Sequence, residues 1–93
     1  MNYWHYVDKS WLTSLINSVQ YVKVSANGDG SDIPYYELWT TEREKRSLEK
    51  AVQQAQSVAN NVYASSYEVT DAINSLNKAI DIYNDVQRSG KQR

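Results

Sequence analysis

The chain has 93 residues, with 11 acidic and 10 basic side chains, a net charge of -1 and a mean hydropathy of -0.71. A chain of this length buries roughly 60–70% of the surface its unfolded form exposes, which permits one small domain with a modest core. The near-zero charge implies no nucleic acid and no anionic membrane surface as partner. No stretch approaches the ~20 apolar residues of a membrane span, so no membrane insertion is expected. There is no cysteine, which excludes a disulfide framework, a thiol nucleophile and a Cys-based zinc site. Residues Met1 to Tyr6 lack the basic region and apolar run of a signal peptide. The expectation is either a cytosolic protein or a module of a longer chain.

The first predicted element is a helix over residues 9–24, because Leu12, Leu15, Ile16, Val19 and Val22 recur at three- and four-residue steps. Asp8 is its expected N-cap, with Ser10 the alternative. Tyr21, Val22 and Val24 also tolerate extended backbone, so a mixed fold follows if residues 19–24 form a strand.

Residues 25–40 form one long connection, which holds Gly28, Gly30 and the only proline, Pro34. Asn27-Gly28 and Asp29-Gly30 are turn dipeptides whose members tolerate positive φ. The connection exceeds the usual length for a helical domain. It is therefore expected to be ordered by Ile33, Tyr35, Leu38 and Trp39 packing back on the helices. Asp32 is expected to cap the turn that follows it.

Two capping boxes come next, Thr41-x-x-Glu44 and Ser65-x-x-Glu68, lying 24 residues apart. In each, a hydroxyl accepts the backbone N–H three residues on and the glutamate reaches back to the cap's own N–H. The first opens a predicted helix over 42–61 with an apolar stripe through Leu48, Val52, Ala55 and Val58. Glu42 and Arg46 are spaced for a favourable i,i+4 pair. The second opens a helix over 66–89 with a stripe through Val69, Ala72, Leu76, Ile80 and Tyr83. Gly90 is expected as its left-handed C-terminal stop. Arg88, Lys91 and Arg93 then suit the negative end of the helix dipole. The expected fold is all-α, an up-down-up three-helix bundle with a long ordered loop between helices 1 and 2, in a single helical module over 1–93.

Few residues carry chemistry. His5 is the only histidine, so neither a metal site nor a Ser-His-Asp set can be built around it. The run Asn27 to Asp32 has oxygen ligands at alternate positions. A calcium loop begun at Asn27 needs Gly and Glu where Asp32 and Leu38 stand, and a tight turn is the better reading. Asp29, Asp32 and Glu37 share one loop with no deep groove between two acids, as glycoside hydrolysis requires. No catalytic residue, metal or cofactor is expected.

The aromatic residues are the distinctive class, with three Trp, eight Tyr and no Phe. Trp4, Tyr6, Tyr35, Tyr36 and Trp39 cluster in the N-terminal segment and the long loop. Such rings stack on sugars or anchor a protein partner, and they are the candidate ligand-binding residues. The structural alternative is that they staple the loop and the N-terminus to the helices. Trp39, just before the first capping box, is the foremost core candidate among them.

The runs Gly30-Ser31-Asp32-Ile33-Pro34, Trp39-Thr40-Thr41 and Leu48-x-x-Ala51-Val52-x-x-Ala55, with Glu68-Val69-x-x-Ala72-x-x-x-Leu76-x-x-Ala79-Ile80 later, resemble the helical repeat module called FIVAR. The resemblance covers roughly residues 10–87. It implies a non-catalytic three-helix module of large Gram-positive surface and secreted proteins, acting as a spacer or binding unit beside neighbouring domains of a longer chain. Its partners would be glycan or extracellular matrix protein, and its location extracellular or attached to the cell wall. The aromatic N-terminal segment and Tyr35-Tyr36 are not features of that family. The competing expectation is a free-standing intracellular adaptor or inhibitor that docks a protein through a helix face.

Overall fold

A computed structural model describes residues 7–93, and Trp4 and Tyr6 lie outside the described residues. Helix α1 is Ser10–Ser18, six residues shorter at its C-terminus than its apolar period predicts. The Asp8 carboxylate accepts the Ser10 N–H at 2.9 Å and the Ser10 hydroxyl as well, although Lys9 occupies the formal cap position. At the far end Val19 turns to extended backbone, with ψ 128°. The Val22 N–H then finds the Tyr83 hydroxyl at 3.0 Å in place of a helical carbonyl. A tertiary hydrogen bond thus replaces the next turn of helix. Val19 and Val22 still pack on the core, so their burial follows the periodicity while their conformation does not.

Helix α2 is Glu42–Asn60 and helix α3 is Ser66–Val86. Both capping boxes are complete. In the first, Thr41 Oγ1 accepts from Glu44 N at 3.2 Å and Glu44 Oε1 accepts from Thr41 N at 2.8 Å. The corresponding distances in the second, between Ser65 and Glu68, are 3.1 and 2.9 Å. Arg46 pairs with Glu42 at 3.0 Å. The turn between the helices is closed by Asn61, whose backbone carbonyl accepts from Ala64 N at 3.1 Å and whose side chain accepts from Tyr63 N at 2.9 Å.

The all-α expectation is corrected by a small three-stranded sheet. Strands β1, Lys23–Val24, β2, Leu38–Thr40, and β3, Arg88–Ser89, lie in the order β1-β2-β3. The first pair is parallel, with Lys23 opposite Trp39, and the second antiparallel, with Trp39 opposite Arg88. Helix α3 therefore ends three residues early, at Val86, and Arg88 serves as a strand residue rather than a helix-end cation. Gly90 is not a left-handed cap either, since the positive-φ glycines are Gly28 and Gly30. Gly90 is buried where the tail passes the long loop, and a Cβ there would stand 2.2 Å from the carbonyl oxygens of Ile33 and Pro34. The role of this glycine is close backbone approach.

The tail and the loop are laced by backbone hydrogen bonds: Gly90 N to Glu37 O, Lys91 N to Gly30 O, Gln92 N to Ile33 O and Tyr35 N to Gln92 O, at 2.8–2.9 Å. Inside the loop the buried Ser25 hydroxyl accepts from Gly28 N and Gly30 N at 3.1 and 3.0 Å. Asp32 reaches back to Ser25 and Ala26 rather than capping the turn ahead. Of the four residues expected to pack back, Ile33 and Trp39 are buried, while Tyr35 and Leu38 are exposed. Leu38 is the exposed first residue of β2, whose next two residues, Trp39 and Thr40, are both buried.

Buried side chains from all three helices, chiefly Leu12, Leu48, Ala55, Val69, Leu76 and Tyr83, form one core cluster. Lys9 Nζ donates to Asn61 O, which sets the start of α1 beside the end of α2. No helix among the described residues is long and apolar enough to cross a membrane.

Candidate aromatic ligand site

Of the three aromatic candidates among the described residues, Tyr35 and Tyr36 form a surface pair. Tyr35 and Tyr36 are 61% and 74% exposed, and their rings meet edge to face with centroids 5.5 Å apart. They follow Pro34, whose fixed φ stiffens the entry to the pair. The Tyr35 N–H bond to Gln92 then pins the backbone beneath it. Beside them Lys23 Nζ lies 2.7 Å from Glu37 Oε1, an ion contact without full hydrogen-bond geometry. The Glu37 carboxylate holds the Lys23 ammonium above its ordinary pKa.

Trp39 belongs to the interior. Its Nε1–H donates to Ser89 O at 3.1 Å, and the Arg88 guanidinium sits 4.8 Å from the ring centroid. Gly30 passes so close to the indole that a Cβ would stand 2.3 Å from Nε1. The ring is clamped between the loop and the tail and presents no face to a ligand, which is the stapling role weighed for it in the sequence.

The Asn27–Asp32 loop holds its oxygens inward. Hydrogen bonds from Ser25 and Ala26 keep the Asp32 carboxyl below its ordinary pKa, with burial opposing them, and bonds from Ser31 do the same for Asp29. Among the described residues no group of three or more His, Asp and Glu is placed to hold a metal.

Exposed rings that sequence reasoning did not single out lie elsewhere. Trp11 on α1, Tyr63 in the α2–α3 turn and Tyr67 on α3 are each more than three-quarters exposed. Their signal was available in the sequence, since each falls off the apolar stripe of its segment. A cleft beside Tyr21 was likewise missed, because its lining comes from segments far apart in the chain. Comparison with protein-family profiles, with curated proteins and with solved structures finds no match to this chain.

Proposed function

We propose that this chain is a non-catalytic accessory module, an up-down-up three-helix bundle of the FIVAR-like kind its sequence resembles, that holds neighbouring domains of a surface or secreted protein apart. One observation carries the reading. Val7 and Lys9 lie beside the α2–α3 turn, whereas Gln92 lies at the sheet, beside Pro34 and Tyr35. The described chain therefore runs from one pole, at Val7, to the other, at Gln92. Helix α2, with 19 residues, is by itself about 28 Å long at 1.5 Å per residue. A module threaded in this way adds its own length to a chain of domains, which is what a spacer must do.

The surroundings of several carboxyls fit a non-catalytic reading. The carboxyls of Asp8, Asp29, Asp32, Glu44 and Glu68 are all lowered by hydrogen bonds. A general acid working near neutral pH needs the opposite shift. Tyr35 and Tyr36 add a small contact surface for glycan or matrix protein.

The spacer role is tested by small-angle scattering from two copies joined in tandem. The second copy should lengthen the particle by at least about 28 Å, and a gain well short of one helix length would sink the reading. For the contact surface, a glycan array and a tryptophan-fluorescence titration should show binding that Tyr36→Ala abolishes with the fold retained. A second reading, an adaptor docking through a helix face, draws on Ile82, which is 56% exposed on α3. Partner capture lost in Ile82→Asp, with no lengthening in the tandem protein, would favour it.

A further inference from the structure

A cleft opens beside Tyr21. It encloses about 370 Å³ between the extended crossing after α1 and the C-terminal half of α3, within the size range of small-molecule sites. Ile80 and Tyr83 contribute to its lining, and the Tyr21 ring forms part of its wall, edge to face with Tyr83 at 6.1 Å. Asn77 and Asn84 line it from α3, Gln87 from just past the end of that helix, and Gln20 from the crossing.

Among the described residues no charged side chain lines this cleft. The Lys45 ammonium lies over the Tyr21 ring, 5.6 Å from its centroid, but is not part of the lining. An ionic ligand would find no counter-charge in the wall. Amides offer a donor and an acceptor on one planar group, which matches neighbouring hydroxyls that each donate and accept. Gln87 Nε2 donates to Asn84 Oδ1 at 3.2 Å, the one side-chain hydrogen bond that the four amides make among the described residues. Their remaining capacity faces the cleft or water. Asn77 and Asn84 are seven residues apart, so they stand on nearly the same helix face about 10 Å apart along the axis. A ligand bridging them must be longer than one sugar ring.

We propose that this cleft binds a short neutral glycan of about two sugar units, with Asn77 and Asn84 holding hydroxyls and the Tyr21 ring packing on an apolar C–H face. The proposal depends neither on the spacer geometry nor on Tyr35 and Tyr36, so each can fail without the others.

Amide-resolved NMR titration with cellobiose and N,N′-diacetylchitobiose tests it. Saturable shifts are expected at the side-chain amides of Asn77, Asn84 and Gln87 and the backbone of Gln20 and Tyr21. The double variant Asn77→Ala, Asn84→Ala should weaken binding about ten-fold or more. Both positions are solvent-facing, so an unchanged melting temperature is expected. Gln54→Ala, an exposed amide remote from the cleft, should leave affinity unchanged. No saturable shift with either disaccharide would overturn the assignment, as would shifts confined to Tyr35 and Tyr36. Equal binding of an anionic hyaluronan fragment would overturn the neutral class.

Discussion

Arg88 and Glu44 form a two-pronged pair, Nη1 to Oε1 at 3.1 Å and Nη2 to Oε2 at 2.9 Å, across 44 residues of chain. The same Glu44 Oε1 accepts the Thr41 N–H of the first capping box. The same guanidinium covers the Trp39 indole. A helix start, a tail strand and a buried ring are thus joined through one carboxylate. The capping box is more than a local device here, because it fixes the edge on which β3 docks.

This junction predicts a pH dependence. The Arg88 guanidinium, opposed by burial and helped by the Thr41 N–H, holds the Glu44 carboxyl below its ordinary value of 4.5. The unfolded chain therefore takes up the proton first, and stability is lost as pH falls from about 4.5 through the lowered folded value. Glu44→Gln keeps the reach-back bond of the box but removes the charge. With the Arg88 side chain 44% exposed and solvent-screened, the variant should lose only about 0.5–1 kcal/mol near neutral pH. The deficit should shrink as pH falls below about 4.5 and disappear once the pH has passed through the lowered folded value, where both proteins carry a neutral group. Urea unfolding across pH 3–7 measures this, and a deficit that is constant with pH would contradict it.

Gly90→Ala should destabilise through contact with two carbonyl oxygens that belong to backbone and cannot swing away. A loss of about 2–3 kcal/mol is expected, at the upper end of overpacking costs. Gly28→Ala meets open space, and its φ of +79° is the only penalty, about 1 kcal/mol. Thermal or urea unfolding should rank Gly90→Ala as the more damaging change. The reverse order would mean that the tail does not pass the loop this closely.

The contrast between α2 and the sheet shows what a sequence can carry. The pairs Thr41–Glu44 and Ser65–Glu68 lie three residues apart, so their geometry is local and both helix starts were readable to the residue. Strand β2 has three residues, and its partners Lys23 and Arg88 are distant in the chain, so no period announces it. The end of α1 was misread because Val19 and Val22 keep helical spacing while the Tyr83 hydroxyl captures the Val22 N–H. Gly90 has the composition of a helix stop, and only the passage of Ile33 and Pro34 beside it reveals its use. For the candidate site, Tyr35 and Tyr36 were legible as loop aromatics. The clefts and clamps around Tyr21 and Trp39 needed the fold.

The Tyr83 hydroxyl is placed where its removal is felt twice. It accepts from Val22 N at 3.0 Å and lies 3.5 Å from the hydroxyl of the fully buried Thr40. Tyr83→Phe retains the ring and its packing but leaves both partners short of a hydrogen bond. A cost of about 1–3 kcal/mol is expected. Because the Val22 N–H loses its acceptor, its hydrogen exchange should accelerate more than that of amides in α2. Exchange that is unchanged at Val22 would show that the crossing is held by packing alone.

Leu76 and Ile82 both lie on α3, six residues apart, and separate core from surface on that helix. Leu76 is 1% exposed in the core cluster, whereas Ile82 is 56% exposed. Leu76→Ala should cost about 2–5 kcal/mol, since it forfeits transfer energy and opens a cavity where α1, α2 and α3 meet. Ile82→Ala should stay within about 0.5 kcal/mol of the parent, as surface changes do. The comparison is internal to one helix, so differences in helix propensity, favourable to alanine in both, cannot produce a gap of this size. Equilibrium unfolding of the two variants measures it. A Leu76→Ala loss below about 1 kcal/mol would place Leu76 outside the core and move the inner face of α3.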